Sequence, residues 1–247
     1  MIGVRWLGHA TTVIDVAGVR LVTDPLLRHH VGALRRVGPT PDPSWWAGTD
    51  AALVSHLHLD HADRPSLRRL GVPVLGGPAV AVWARRQRLT GVALSEDWTP
   101  IVGAVQVRLV RADHHSRPWP GRSREAYGFL VRAGEEVVWF AGDTALYPEM
   151  AVLASASISL ALLPIHGWGP RLSAGHMDAE QAAEAALLSG ARRVVPVHWG
   201  TFHAFGMNVG PLEWMSRPIG HFEAAMDQRG IADRALVLRV GERAEMA

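Results

Sequence analysis

Short apolar runs that are rich in β-branched residues recur along the first part of the chain and predict β-strands. They cover residues 2–7, 12–16 and 19–23, and Ala17-Gly18 provides a two-residue turn between the last two. A stretch marked by prolines and glycines follows, and residues 51–54 form another fully apolar run. The chain therefore begins as a series of strands.

From residue 63 onwards, helical and strand-like patterns alternate. Asp63 is a suitable N-cap for a short helix that ends near Leu70, and Pro65 fits its first turn. Asp178 and Gln181 have the spacing of a capping box. The patterns predict helices at 63–70, 78–89, 147–154, 178–188 and 222–229, and strands at 72–75, 102–111, 127–132, 137–141, 159–164, 193–197 and 235–240.

This order of elements predicts an α/β fold with two similar halves that meet near residue 127. Each half has a mixed sheet, and the sheets are expected to pack against each other with the helices outside. No stretch has the composition of a flexible linker, so residues 1–247 are expected to form a single domain.

Composition narrows the range of partners. The chain has no cysteine, so a metal can be bound only through nitrogen and oxygen ligands. All 25 basic residues are arginines, which are scattered, and the formal net charge is only +2. This distribution predicts no nucleic-acid partner. The N-terminus has no signal-peptide pattern and no apolar run is long enough to span a bilayer, so a cytoplasmic protein without stable membrane insertion is expected. A homo-oligomer is compatible with this composition.

The run from Ser55 to His61 concentrates metal-binding chemistry directly after the apolar strand at 51–54. It contains three imidazoles and one carboxylate, namely His56, His58, Asp60 and His61. Such side chains suit Zn²⁺ and other divalent first-row metals. In an extended segment, His56, His58 and Asp60 would point to one side and His61 to the other, which indicates two adjacent metal positions. A turn would instead gather all four around one cavity. The alternative is a solvated histidine-rich loop.

Three other strand-like runs end in polar residues of the same chemical type. Asp113-His114-His115 follows one run, Gly142-Asp143 follows the second, and His198 follows the third. A single terminal aspartate is more often a helix cap, and a single histidine is more often a surface residue. Three such endings, together with the cluster, predict that distant strand ends supply further ligands.

The motifs resemble those of the metallo-β-lactamase superfamily. The His56-x-His58-x-Asp60-His61 run is similar to its first signature. A closer similarity, to the branch of N-acyl-phosphatidylethanolamine phospholipase D and the L-ascorbate-6-phosphate lactonases, rests on motifs at 7–11, 23–25, 114–117, 140–144 and 196–202. The resemblance implies a four-layer αββα sandwich with a dinuclear site at one edge of the sheets.

Residue by residue, the resemblance implies two sets of ligands and one shared residue. His56, His58 and His114 would bind one ion, Asp60, His61 and His198 would bind the other, and Asp143 would bridge them. Zn²⁺ is the expected metal, and Mn²⁺ or Fe²⁺ also suits these donors. His9 is expected to be structural or supporting, because all seven ligand positions are filled.

The activity implied is metal-dependent hydrolysis. Two ions about 3.5–4 Å apart can activate a shared water as hydroxide, which would attack a phosphodiester, or the carbonyl of a lactone or ester. Besides binding metal, Asp60 is a candidate for orienting the attacking water or accepting its proton. His176 is a candidate for protonating the leaving group or binding an anionic oxygen. His166 is expected to point to solvent. The partner would be a small-molecule or lipid-like substrate. The aromatic residues after His198 would suit an apolar substrate, although core packing explains them equally well.

Two other functions remain open at this stage. One is sulfur oxidation by a single iron ion, which occurs in the wider superfamily, and the other is a non-catalytic member that keeps the fold. The complete second set of ligand positions, Asp60, His61 and His198, argues against both alternatives.

Overall fold

The computed structural model describes residues 1–114, 125–206 and 213–246. The part of the 114–117 motif that follows His114 lies outside these residues. In chain order the strands are β1 (Ile2–Gly8), β2 (Thr11–Val16), β3 (Val19–Thr23), β4 (His30–Val31), β5 (Leu34–Arg36), β6 (Ala51–Val54), β7 (Val74–Gly76), β8 (Gly91–Ala93), β9 (Thr99–Val102), β10 (Val105–Arg111), β11 (Tyr127–Ala133), β12 (Glu136–Phe140), β13 (Leu160–Pro164), β14 (Arg193–Val197), β15 (Phe202–Ala204) and β16 (Arg243–Met246). The helices are α1 (Arg64–Leu70), α2 (Pro78–Arg86), α3 (Ala179–Ser189) and α4 (Glu213–Gln228), with 3₁₀ helices at Pro43–Trp45, Pro148–Ala156 and Ala232–Arg234.

Within the described residues, the strands form two large sheets and one small one. The first large sheet has the order β16-β1-β2-β3-β6-β7-β8, and the second has the order β14-β13-β12-β11-β10-β9. The small sheet, β15-β5-β4, combines two strands from the first half of the chain with one from the second half. Ala17 and Gly18 both have positive φ, as a tight hairpin turn between β2 and β3 requires.

Three apolar cores hold the sheets and helices together. One core lies between the two large sheets and includes Ile14, Leu53, Phe129 and Phe140. A second core lies between the β12–β14 region and the helices α3 and α4, and a third lies between β6, β7 and the helices α1 and α2. The layers therefore run helix, sheet, sheet, helix, which confirms the predicted sandwich. Strands β6 and β13 are buried at every position because both of their faces are covered.

Several predicted elements differ from the structure. The strand predicted at 102–111 is β10 from residue 105 onwards, but residue 102 belongs to β9, because the chain turns at Gly103, which has a positive φ. The predicted final strand at 235–240 is absent apart from a bridge between Ala235 and Val194, and the last strand is β16, which pairs with β1. The helix predicted at 147–154 is a 3₁₀ helix, and α4 begins nine residues before the predicted start at residue 222.

In the part of the chain that is described, no helix combines the length and apolar character needed to cross a bilayer.

The directions of the strands decide where the functional side chains meet. In the first sheet β1, β3 and β6 run in the same direction, because β1 and β3 are each antiparallel to β2 and β3 is parallel to β6. In the second sheet β10, β12, β13 and β14 likewise share one direction. A bridge between His56 and Ala126 joins the two sheets at the edge where these strands end.

Candidate metal centre

Every polar side chain of the candidate centre follows the carboxyl end of a strand or lies in a loop at the same edge. His9 follows β1, Asp24 follows β3 and the His56–His61 segment follows β6. In the other sheet His114 follows β10, Asp143 follows β12 and His198 follows β14. Scaffolds commonly place reactive groups at such strand ends, where the backbone is fixed on one side and the side chains are free to converge.

The seven residues predicted as metal ligands lie together. The donor atoms of His56, His58 and His114 are all within 4.8 Å of one another. Those of Asp60, His61 and His198 satisfy the same limit, with His9 as a fourth member. Asp143 lies between the two groups, because it forms one set with His56 and His61 and another with His114 and His176.

A turn, rather than an extended segment, arranges the ligand run. The amide N–H groups of His61 and Ala62 both donate to the carbonyl of His58, at 3.1 and 2.8 Å. The turn therefore puts Asp60 in the same group as His61, whereas an extended segment would have put it with His56 and His58. The predicted pair of adjacent metal positions is compatible with this arrangement. The alternation of side chains expected for an extended strand, however, assigned Asp60 to the wrong group.

Hydrogen bonds at Nδ1 determine which ring nitrogen is left for a metal. His114 Nδ1 is 2.8 Å from the carbonyl oxygen of Gly175, and His198 Nδ1 is 2.9 Å from that of His166. A carbonyl only accepts, so each Nδ1 carries the proton and each Nε2 keeps its lone pair. Both rings are thereby held in the tautomer that presents Nε2 to a cation.

Asp24 fixes two further imidazoles through one buried carboxylate. Its Oδ2 accepts from His61 Nδ1 at 2.7 Å and from the Ser55 hydroxyl at 2.6 Å, and its Oδ1 accepts from the Ser55 amide. Since the Ser55 hydroxyl donates to Asp24, its oxygen accepts from His56 Nδ1 at 2.9 Å. The motif at 23–25 contains Asp24, but the sequence did not indicate this role. The feature that could have revealed it is the position of Asp24 directly after β3, since the other polar residues of the centre also follow strands.

The inward-facing atoms lack hydrogen bonds and have the spacing of metal ligands. Among the buried polar side-chain atoms without a hydrogen-bond partner in the described residues are His56 Nε2, His61 Nε2, His198 Nε2 and Asp143 Oδ1. Asp143 Oδ2 is 3.0 Å from His61 Nε2, and Oδ1 is 3.2 Å from His198 Nε2. Donor atoms around a tetrahedral zinc ion are separated by about 3.3 Å, from bonds of about 2.0–2.1 Å. The nitrogen and oxygen donors therefore fit a divalent cation.

Burial and charge favour a cation at this position. Burial lowers the pKa of His56 and His198 well below the ordinary value, and it lowers the pKa of His58 to about 4. These imidazoles are therefore neutral near pH 7, as metal binding requires. Burial also opposes a charge on His61, but the carboxylates of Asp143, Asp60 and Asp24 outweigh it and raise its pKa well above the usual range. The carboxylates around His61 thus favour a positive charge at this position, which a divalent cation would supply.

His176 adjoins the cluster from the loop before α3. Its Nδ1 lies 3.1 Å from the Ser173 carbonyl, and its Nε2 lies 3.2 Å from Asp143 Oδ2. Burial opposes its protonation, but the Asp143 carboxylate raises its pKa above the ordinary value. The side chain of Asp178 caps the N-terminus of α3, so that terminus is already occupied by a carboxylate. This arrangement favours proton donation by His176 over anion binding.

His166 is half-buried rather than pointing into solvent. Its ring nitrogen Nε2 is 3.0 Å from the carbonyl oxygen of Gly169. Its own carbonyl oxygen accepts the Nδ1 proton of His198. The residue therefore contacts the centre through its backbone, a contribution that a residue-type pattern does not reveal.

Comparison with known proteins agrees with this architecture. The family model of the beta-lactamase superfamily domain matches residues 19–199. A UPF0173 metal-dependent hydrolase of Thermus thermophilus is 31% identical over 204 residues, covering 82% of this chain and 85% of that protein. A UPF0173 metal-dependent hydrolase of Methanopyrus kandleri is 28% identical over 247 residues, covering 97% of each chain.

A solved structure shares the fold over the whole chain. Igni18, a metallo hydrolase from the archaeon Ignicoccus hospitalis, matches with a TM-score of 0.76 and 21% identity, covering 100% of this chain and 99% of that one. Because this identity is low, the likeness concerns the fold alone. The family match and the Thermus relative show that the chain belongs to the metallo-β-lactamase superfamily.

Proposed function

We propose that this chain, a metal-dependent hydrolase like its relatives, binds two divalent ions at the edge where the two sheets meet. His56, His58 and His114 bind one ion, Asp60, His61 and His198 bind the other, and Asp143 bridges them. The observation that carries the proposal is the set of four buried, inward-facing donor atoms without hydrogen bonds. Leaving such atoms unpaired is costly unless a cation compensates them.

The donor set favours Zn²⁺, and Mn²⁺ or Fe²⁺ also suits it. Imidazole nitrogen predominates, with carboxylate oxygen from Asp60 and Asp143, and the chain has no thiolate to offer. The hydrogen bonds at Nδ1 hold the rings of His61, His114 and His198 in place. Such support is typical of metal sites, in which the outer hydrogen bonds orient the ligands.

The reaction is the hydrolysis of a phosphodiester, or of a lactone or other ester. When bound, a pair of divalent ions lowers the pKa of a water and polarises the substrate oxygen that becomes negatively charged. His176 donates the proton from its Nε2 to the leaving oxygen, and the Ser173 carbonyl holds Nδ1 in position for this step. Asp60 binds metal and, through its carboxylate, orients the attacking water.

Exposed apolar side chains close in sequence to the residues of the centre favour a substrate with an apolar part, and lipid-like molecules belong to this class. Leu59, which lies within the ligand run, is exposed, as are Trp168 and Phe205, which follow His166 and His198 in the sequence. Exposed large apolar side chains around a polar centre are typical of a ligand site. The resemblance to the phospholipase D and lactonase branch supports the same substrate classes. The arginines are scattered along the sequence, so we propose no nucleic-acid partner.

Metal analysis of protein purified without chelator tests the proposal. We expect about two equivalents of metal and turnover of bis-p-nitrophenyl phosphate or of a lactone in a panel of phosphodiesters, lactones and thioesters. Asp143→Asn removes the shared charge and should abolish turnover and lower the metal content. Asp227→Asn, which changes an exposed carboxylate on α4, is the matched control and should behave as the wild type.

Two outcomes would contradict the proposal. A protein that contains one iron ion and consumes oxygen in the presence of a thiol would be a sulfur-oxidising member instead. A protein that stays metal-free after zinc, manganese and iron are each supplied would be a non-catalytic member.

A further inference from the structure

His9 has an unusual backbone conformation and lies next to the proposed ligands Asp60 and His198. Its φ is +55°, a region that non-glycine residues rarely adopt, and it follows Gly8 with a φ of +95°. Its side chain is buried. A buried residue in such a conformation persists only where the surrounding contacts enforce it, and such residues concentrate at functional sites.

Three hydrogen bonds, two of them to distant parts of the chain, fix the backbone of His9. Its amide N–H donates to the Thr201 hydroxyl oxygen at 2.9 Å. Its carbonyl oxygen accepts from the amide of His198 and from the indole N–H of Trp6, each at 2.9 Å. One of these partners, His198, is itself a proposed ligand with a positive φ of +64°. The backbones of His9 and His198 are therefore fixed together.

The side chain of His9 contacts two proposed ligands of the same ion. Its Nε2 lies 3.1 Å from Asp60 Oδ2, and because the ionised carboxylate only accepts, Nε2 carries the proton. The ring centroid lies 4.1 Å from that of His198, with the planes tilted by 34°. Phe202 closes the other side, with its ring 5.5 Å away at a steep angle.

The hydrogen bond separates His9 from the proposed ligands. His56, His61 and His198 each have an Nε2 without a hydrogen-bond partner, whereas the Nε2 of His9 is used by Asp60. We propose that His9 is a positioning residue, whose Nε2–H group holds the Asp60 carboxylate, and whose ring supports His198, in the geometry that binds the second ion. This inference rests on the proposed dinuclear site.

Two substitutions separate the side-chain role from the backbone role. In His9→Gln the side-chain amide N–H reaches about as far as Nε2, so it can still donate to Asp60. In His9→Asn the amide is too short to reach Asp60, but asparagine tolerates positive φ better than most residues. A positioning role predicts that Gln preserves the second ion and Asn loses it. A purely structural backbone role predicts the reverse order.

The readout is Co²⁺ binding, followed by its visible absorption and by competition with a chelator. For His9→Asn we expect affinity for the second ion to fall about 10- to 100-fold, as for other residues that orient a metal ligand. Affinity for the ion held by His56, His58 and His114 should stay at the wild-type value and serves as the internal control. His9→Gln should show the wild-type spectrum and stoichiometry.

Each other outcome has a distinct meaning. Wild-type protein that binds no second ion contradicts the proposed function itself. Wild-type protein with two ions, and His9→Asn that binds both with wild-type affinity, overturns the role of His9 alone. A changed Co²⁺ spectrum and weakened second ion in both variants would make His9 a direct ligand and would also overturn this inference. Thermal unfolding of the chelated proteins checks that both variants are folded.

Discussion

Asp24→Asn is the most informative substitution, because it preserves shape while reversing hydrogen-bond polarity. The Oδ2 atom of Asp24 accepts from His61 Nδ1 and from the Ser55 hydroxyl. If an amide nitrogen takes this place, it donates to both. His61 must then accept at Nδ1 and carry its proton on Nε2, the atom that faces the cluster. The Ser55 hydroxyl turns to donate to His56 Nδ1, so His56 is reversed in the same way.

The magnitude follows from the cost of restoring the metal-binding tautomers. Returning His61 to that form places its Nδ1–H opposite the new amide N–H at position 24, and returning His56 leaves the Ser55 hydroxyl proton without its acceptor. An unsatisfied buried donor costs about 1–3 kcal/mol. At about 1.4 kcal/mol for each factor of ten, this corresponds to roughly 10- to 100-fold weaker binding in each half of the site. The fold should persist, since each hydrogen bond around position 24 has a replacement.

The assay is a titration of chelated protein with Zn²⁺ against a competing indicator, with circular dichroism as the check of folding. Ser55→Ala is the matched control, because it removes the connection to His56 but leaves the bond between Asp24 and His61 intact. It should weaken mainly the ion held by His56. If Asp24→Asn binds two ions as tightly as the wild type, the tautomer argument is wrong.

Three further predictions address catalysis, pH and backbone strain. His176→Gln should keep its metal content and lower kcat by about 10²- to 10⁴-fold, and unchanged kcat would exclude proton donation by this residue. Burial opposes a charge on Asp15, but Arg20 and Arg243 outweigh it and lower the pKa of this carboxyl. The ionised Asp15 therefore stabilises the fold above about pH 4, and this contribution disappears as the pH falls through the pKa of the folded state. Asp15→Asn should therefore reduce the unfolding free energy at pH 7 by less than about 1 kcal/mol, with the difference vanishing in acid urea titrations. Gly142→Ala should cost roughly 1–3 kcal/mol in the same measurement, more than Gly134→Ala, because both have φ near +60° but only position 142 is crowded.

The fold was largely predictable because its signals are local. Apolar runs in the sequence predicted β1, β2, β3 and β6, and the structure has a strand at each of them. The predicted N-caps Asp63 and Asp178 are likewise the residues at which α1 and α3 begin. The errors occurred where a local pattern is ambiguous. Residues 102–111 alternate well enough for one strand, but the chain turns at Gly103 and only residues 105–111 form β10. Residues 235–240 have β-branched side chains, but the edge of β1 pairs with β16 instead.

The donor cluster was partly predictable for a different reason. Residues such as His56, His58 and His114 could be nominated because imidazoles at strand ends are unusual, and the family resemblance supplied their grouping. The hydrogen bonds that fix each tautomer could not be predicted. They involve the carbonyls of Gly175 and His166, which any residue type could provide.

By itself, the sequence determined the alternation of apolar and polar positions, the helix caps, the absence of thiolate ligands and the chemical types of the donor atoms. Only the tertiary structure decided which carboxylate serves which imidazole, because the parallel directions of β1, β3 and β6 bring residues from distant parts of the chain to one edge. It also decided the role of Asp24 and the conformation of His9, since both depend on contacts with residues more than thirty positions away. Local propensity acts along the chain, whereas the geometry of a metal centre depends on how strands stack side by side.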